Sequence, residues 1–93
     1  MTAAIEETVL IINKRGLHAR ASAKFVNAVT ELPVGLAVKV SKDGVHAEGG
    51  SILGLMMLGA AKGDEISISV AGQGAEEALA ALAGLVRGGF GEE

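Results

Sequence analysis

Few side chains in this sequence can act as a nucleophile or move a proton near neutral pH: there are two histidines and no cysteine. One histidine keeps unusual company, because residues 15–25 read RGLHARASAKF. His18 follows a glycine and a leucine, lies between Arg15 and Arg20, and leads into a segment with helical spacing. Lys14, Arg15, Arg20 and Lys24 put four of the eight basic side chains within eleven residues of a chain whose formal net charge is −3. The first turn of a helix has amides without internal partners and carries the positive end of the helix dipole, which suits an anion such as phosphate. Gly16 lets the backbone approach closely or take a positive φ, and Ala19 opens the helical turn. The same cations disfavour imidazolium, so a neutral ring with a free nitrogen lone pair is expected. Such a ring is a nucleophile, and amides with an arginine can neutralise the equatorial oxygens of a phosphoryl group during transfer.

The residues alone leave another reading open, in which His18 only starts a helix and bonds to backbone. Metal binding is disfavoured, since His46 falls on a different element and no carboxylate lies at ligand spacing from His18. A Ser-His pair with Ser22 lacks a third group to orient the imidazole. Nothing else suggests an enzyme with a substrate pocket: there is no nucleotide loop, metal cluster or carboxylate pair. The acidic balance offers no electrostatic footprint for nucleic acid or an anionic membrane. The run ILGLMMLGAA, Ile52 to Ala61, is half the roughly 20 residues a membrane span requires. The start MTAAIEETV has no basic segment leading into an apolar run, so no secretory signal is read and a cytoplasmic location is expected.

The elements that must position His18 follow from periodicity. At 93 residues the chain is expected to form a single domain, residues 1–93. Glu6 to Ile12 is β-branched and apolar, as for a strand covered on both faces. From Ala19 to Glu31, Phe25, Val26, Val29 and Leu32 recur at helical spacing before Pro33 ends the helix. Leu36, Val38 and Val40 alternate with polar or small residues as a half-buried strand, and Lys42-Asp43-Gly44 supplies a hairpin turn. On the return strand Val45 and Ala47 are expected inward, His46 and Glu48 outward. Ser51 is an N-cap candidate for a short helix reaching about Leu58. Glu65 to Ala71 alternates again, with Ile66, Ile68 and Val70 on one face. Ala75, Ala78, Leu79, Leu82, Leu85 and Val86 form the clearest helical stripe, closed by Gly88 and Gly89. The order βαββαβα, with one polar face on three strands, predicts an α+β open-faced two-layer sandwich with three helices on one side of a four-stranded antiparallel sheet.

Two blocks, NKRGLHARASAKFV at 13–26 and GGSILGLMMLGAAKGDEI at 49–66, resemble the HPr family, the histidine-containing phosphocarriers of the bacterial phosphotransferase system. The likeness covers nearly the whole chain and both blocks stand at the family's separation. It implies that His18 accepts a phosphoryl group from phosphorylated enzyme I and passes it to a histidine of an enzyme IIA. It also implies that Arg20 neutralises the phosphate and that Ser51 is the site modified by an ATP-dependent HPr kinase/phosphorylase. The plainer reading of Ser51 is a helix cap alone. Ile52, Leu53 and Met56 are expected on the exposed side of the second helix as a docking surface, with Leu55 and Leu58 buried; the alternative puts all five in the core. A monomeric, stoichiometric carrier without cofactor or metal is expected, rather than a turnover enzyme. Ala21 departs from the family's usual GLHARP, and alanine in place of proline predicts a slightly looser first turn without lost chemistry. The tail GGFGEE extends the end that in some relatives approaches the histidine, so its role is open. The residues name no sugar; Ala21 and the serine segment lean toward a nitrogen-related regulatory branch, in which the chain would act mainly as a binding module controlled by Ser51.

Overall fold

The computed structural model describes residues 3–92. Its elements are β1 (Ile5–Leu10), α1 (Ala19–Thr30), β2 (Ala37–Lys42), β3 (Val45–Glu48), α2 (Ile52–Met57), β4 (Glu65–Ala71) and α3 (Ala75–Arg87), followed by a 3-10 turn at Gly89–Gly91. The four strands pair antiparallel in the order β1-β4-β2-β3. Central β4 buries Ile66, Ile68 and Val70, while its intervening serines stay half-buried on the opposite face. The sheet register aligns Glu6, Ser69, Lys39 and Glu48 in one row across that face. The polar row and the buried alternate face together place the helices on one side, as the sequence periodicity predicts.

β1 departs from its expectation. It spans Ile5–Leu10 and alternates, with Ile5, Glu7 and Val9 turned toward the core and Glu6, Thr8 and Leu10 exposed. Its outer face is uncovered, like that of its neighbours, so the apolar run VLII reflects an exposed Leu10 and Ile12 rather than a second covering layer. Inward-facing Glu7 pairs with Arg87 at the end of α3. β2 begins one residue later than expected and continues to Lys42, because the hairpin turn needs only Asp43 and Gly44, both at positive φ. Val45, expected inward, is 56% exposed. It pairs with Lys42 beyond Ser41–Ser67, where β2 ceases to pair with β4, so the hairpin tip runs past the body of the sheet.

The short α2 buries Leu55, as its C-cap Leu58 is buried, and exposes Ile52, Leu53, Met56 and Met57, which excludes the all-core alternative. In α3 the buried stripe Ala75, Ala78, Leu79, Leu82, Ala83 and Val86 faces the sheet. Glu76 and Glu77 in its first turn and Arg87 in its last complement the helix dipole. The chain's two phenylalanines, Phe25 in α1 and Phe90 in the terminal turn, are each 1% exposed. Phe90 takes φ 57° between two glycines that are also at positive φ, and this reversal brings the tail back toward the start of α1.

Candidate functional site

The loop from β1 to α1 is pinned before it reaches His18. Ile11 exchanges backbone hydrogen bonds with the loop before β4: its N–H donates to Asp64 O at 2.9 Å, and Gly63 N–H donates to Ile11 O at 2.8 Å. Leu17 N–H donates to Ala60 O at 3.0 Å, and the Leu17 side chain is buried. Between them Gly16 turns the chain at φ +60°, so close to Ala60 and Ala61 that a side-chain carbon would overlap the Ala60 carbonyl. Gly16 is therefore required by a tight backbone crossing that orients the residue two positions on.

His18 is the N-cap of α1. Its backbone is extended, its carbonyl accepts from Ser22 N at 2.8 Å, and its ring Nδ1 accepts from Arg20 N–H at 3.3 Å. Accepting at Nδ1 requires an unprotonated nitrogen there, which puts the ring proton on Nε2. Nε2 in turn lies 2.8 Å from Glu92 Oε2. The Nδ1 lone pair thus faces the Arg20 amide, one of the first-turn N–H groups that no carbonyl inside the helix can reach. Ser22 is fully buried and its hydroxyl donates to Leu17 O at 3.2 Å, so it fastens the turn and forms no pair with the imidazole. The first turn closes with Ala21 fully buried.

Glu92 is the contribution that spacing could not supply. One carboxylate oxygen meets His18 and the other accepts from Asn13 Nδ2 at 3.0 Å. Asn13 is 3% exposed and also donates to Gly16 O at 2.9 Å. Lys24 Nζ donates to Phe90 O at 2.7 Å, holding the same tail from α1. The Asn13 hydrogen bond keeps the Glu92 carboxyl below the usual carboxylate range; the His18 hydrogen bond and the His18 and Lys24 charges act the same way, against partial burial. The surroundings of His18 are consequently not uniformly cationic, as the sequence suggested, because a carboxylate faces Nε2.

Lys14, Arg15, His18, Arg20 and Glu92 line one open concavity of about 340 Å³. Of the other residues singled out in the sequence, Ala19 contributes the first helical amide, Gly16 packs under the loop, and Lys24 reaches the tail. Ser51 caps α2 by accepting from Gly54 N–H at 2.9 Å. His46 lies apart on the sheet's polar face, beside Glu6, Lys39, Ser41 and Ser69. Among the described residues, no group of three or more His, Cys, Asp or Glu converges as a metal site would.

An imidazole set against the open end of a helix in a βαββαβα sandwich is an arrangement suited to holding an anionic group such as phosphate. The model of the family described as the PTS HPr component phosphorylation site matches residues 5–87, and this chain belongs to that family. It is 44% identical over 88 residues to phosphocarrier protein HPr of Neisseria meningitidis serogroup A, covering 95% of this chain and 97% of the relative. It is 36% identical over 89 residues to phosphocarrier protein NPr of Escherichia coli K12, covering 96% and 98%. The crystal structure of HPr-C-His from Thermoanaerobacter tengcongensis superposes with a TM-score of 0.88 at 39% identity, covering 96% of this chain and 98% of that one. A phosphocarrier role within the phosphotransferase system follows from this membership. No helix among the described residues is long and apolar enough to cross a membrane.

Proposed function

We propose that His18 Nδ1 is the phosphoryl acceptor, loaded by phosphorylated enzyme I and discharged to a histidine of an enzyme IIA in the cytoplasm. The observation that carries this reading is the Nδ1 lone pair at the N-cap, accepting from Arg20 N–H. As the lone pair forms the new P–N bond, the donor's bond to phosphorus breaks and the donor keeps that electron pair. The incoming oxygens take over the Arg20 amide from the ring and gain those of Ala19 and Ala21, in a field that already favours an anion. The Arg20 and Arg15 side chains at the rim supply charge that spreads over the same oxygens. The test is incubation with enzyme I and phosphoenolpyruvate. One phosphate per chain is expected, labile in acid and stable in alkali, with 31P–15N coupling to Nδ1; absence of uptake, or coupling to Nε2, would refute the assignment.

The exposed apolar side chains of Ile52, Leu53 and Met56 on α2, joined by Met57, provide the surface on which successive partners dock; flexible methionines adapt to more than one shape. Ser51, at the start of that surface, is the proposed substrate of an HPr kinase/phosphorylase. A phosphate there adds about −2 charge beside the docking helix and repels anionic phosphorylated donors. His18 phosphorylation by enzyme I is therefore expected to slow about tenfold in the Ser51-phosphorylated form, measured as an initial rate; equal rates for the two forms would count against this role. The similarity to a protein named NPr supports the nitrogen-related branch as the setting. In that reading the chain is mainly a protein-binding module governed by Ser51, and Ser51→Ala should alter at least one partner affinity.

A further inference from the structure

The contacts of Glu92 form a connected chain that the acceptor role of His18 does not by itself require. Buried Asn13 uses one NH2 group twice, on Gly16 O at 2.9 Å and on Glu92 Oε1 at 3.0 Å, and the second carboxylate oxygen reaches His18 Nε2 at 2.8 Å. Both neighbours of Nδ2 are acceptors, which fixes the orientation of the Asn13 amide; its Oδ1 is buried with no partner among the described residues. A polar atom left unpaired in this way is destabilising, so the arrangement of donors has a cost that packing alone does not explain. Two further features hold the carboxylate in place: the buried Phe90 at positive φ and the Lys24 bond to the Phe90 carbonyl. Loop, helix and tail thus meet at a single carboxylate placed against the ring nitrogen that does not face the helix.

We infer that Glu92 and Asn13 are positioning residues for His18: Asn13 holds the Glu92 carboxylate, and that carboxylate holds the ring proton on Nε2 and carries part of the positive charge the ring acquires when Nδ1 bonds to phosphorus. The inference rests on the assignment of Nδ1 as acceptor. When the P–N bond forms, the Nδ1 lone pair becomes a bonding pair, the Nε2 proton stays in place, and the ring turns cationic. A carboxylate at 2.8 Å stabilises that state more than it stabilises the neutral ring, which is the differential interaction that speeds a transfer step. On discharge the pair returns to Nδ1 and the ring becomes neutral again with the same proton on Nε2, so the device serves both directions without net proton movement.

The test combines a spectroscopic and a kinetic measurement on the full chain. With 15N-labelled histidine, in a His46→Gln background that leaves one histidine signal, the wild-type site should give the Nε2–H tautomer with a ring proton slow to exchange with water. Glu92→Ala is expected to speed that exchange at least tenfold and to slow phosphoryl uptake from enzyme I about tenfold. Glu92→Gln keeps an acceptor without the charge, so proton protection should largely persist while uptake still slows. Asn13→Ala, checked for folding by its amide spectrum, should shift both readouts in the direction of Glu92→Ala. An Nδ1–H tautomer in the wild type, or ring-proton exchange and uptake both unaltered in Glu92→Ala, would overturn the inference. Failure of the wild type to accept phosphate would instead refute the acceptor assignment, and the spectroscopic measurement would still decide the positioning role.

Discussion

His18→Ala and His18→Asn are both expected to abolish phosphoryl uptake, yet to differ in stability by about 1 kcal/mol in urea unfolding, with the alanine variant the weaker. The difference arises because His18 has two separable roles. In the proposed acceptor role it supplies the Nδ1 lone pair, which neither replacement offers. As the N-cap of α1 it accepts from Arg20 N–H, and asparagine, among the best N-cap residues, can do the same with its side-chain oxygen while alanine cannot. Both variants lose the contact with Glu92, so that loss cancels in the comparison. Residual acid-labile phosphate on either variant would move the acceptor to another residue. Equal unfolding midpoints would mean that the ring contributes nothing as a cap, and would remove the main geometric reason for aiming Nδ1 at the helix.

How far this site could be read from sequence depends on the range of each contact. The cap, the first helical turn and the basic rim lie within eleven consecutive residues, 14–24, and local rules reach that far. The alternations of Ile66, Ile68 and Val70 and of Val38 and Val40 were equally legible, since a period of two has one outcome once a single face is buried. Val45 has the right parity but lies past the end of the sheet, and parity carries no information about where a covering layer stops. A strand expected to be covered on both faces assigns no facing to Glu7, and in the structure it turns inward and meets Arg87, eighty residues away. Glu92 was out of reach for the same reason: its partners Asn13 and His18 are 79 and 74 residues distant, and only a tail reversed at Phe90 brings them together. The signals available were the resemblance to relatives whose C-terminal end approaches the histidine and GGFGEE itself, in which a lone aromatic between glycines just past a helix end marks a place where the chain can turn and anchor.

Gly16→Ala should be the most damaging single-methyl change at the site, and comparison with Gly59→Ala isolates the reason. Both glycines have nearly the same backbone angle, φ +60° and +67°, so the left-handed conformation costs the alanine about 1 kcal/mol at either position. At Gly59 nothing lies within 4 Å of the added carbon, and the cost ends there. At Gly16 that carbon overlaps the Ala60 carbonyl and comes within 2.8 Å of the Ala61 Cα, and these are backbone atoms with no rotamer to relieve the contact. Forcing the two loops apart adds about 1–3 kcal/mol. It also breaks the Leu17 N–H bond to Ala60 O, the last fixed point before the histidine. Urea unfolding should therefore show a loss of about 2–4 kcal/mol for Gly16→Ala against about 1 for Gly59→Ala. Phosphoryl uptake should fall at least tenfold in the first variant only, since a small misplacement of a reacting atom is enough to cost that much. If the two variants unfold alike and transfer alike, the loop before α1 is not what aims His18, and the cap alone must hold the ring in place.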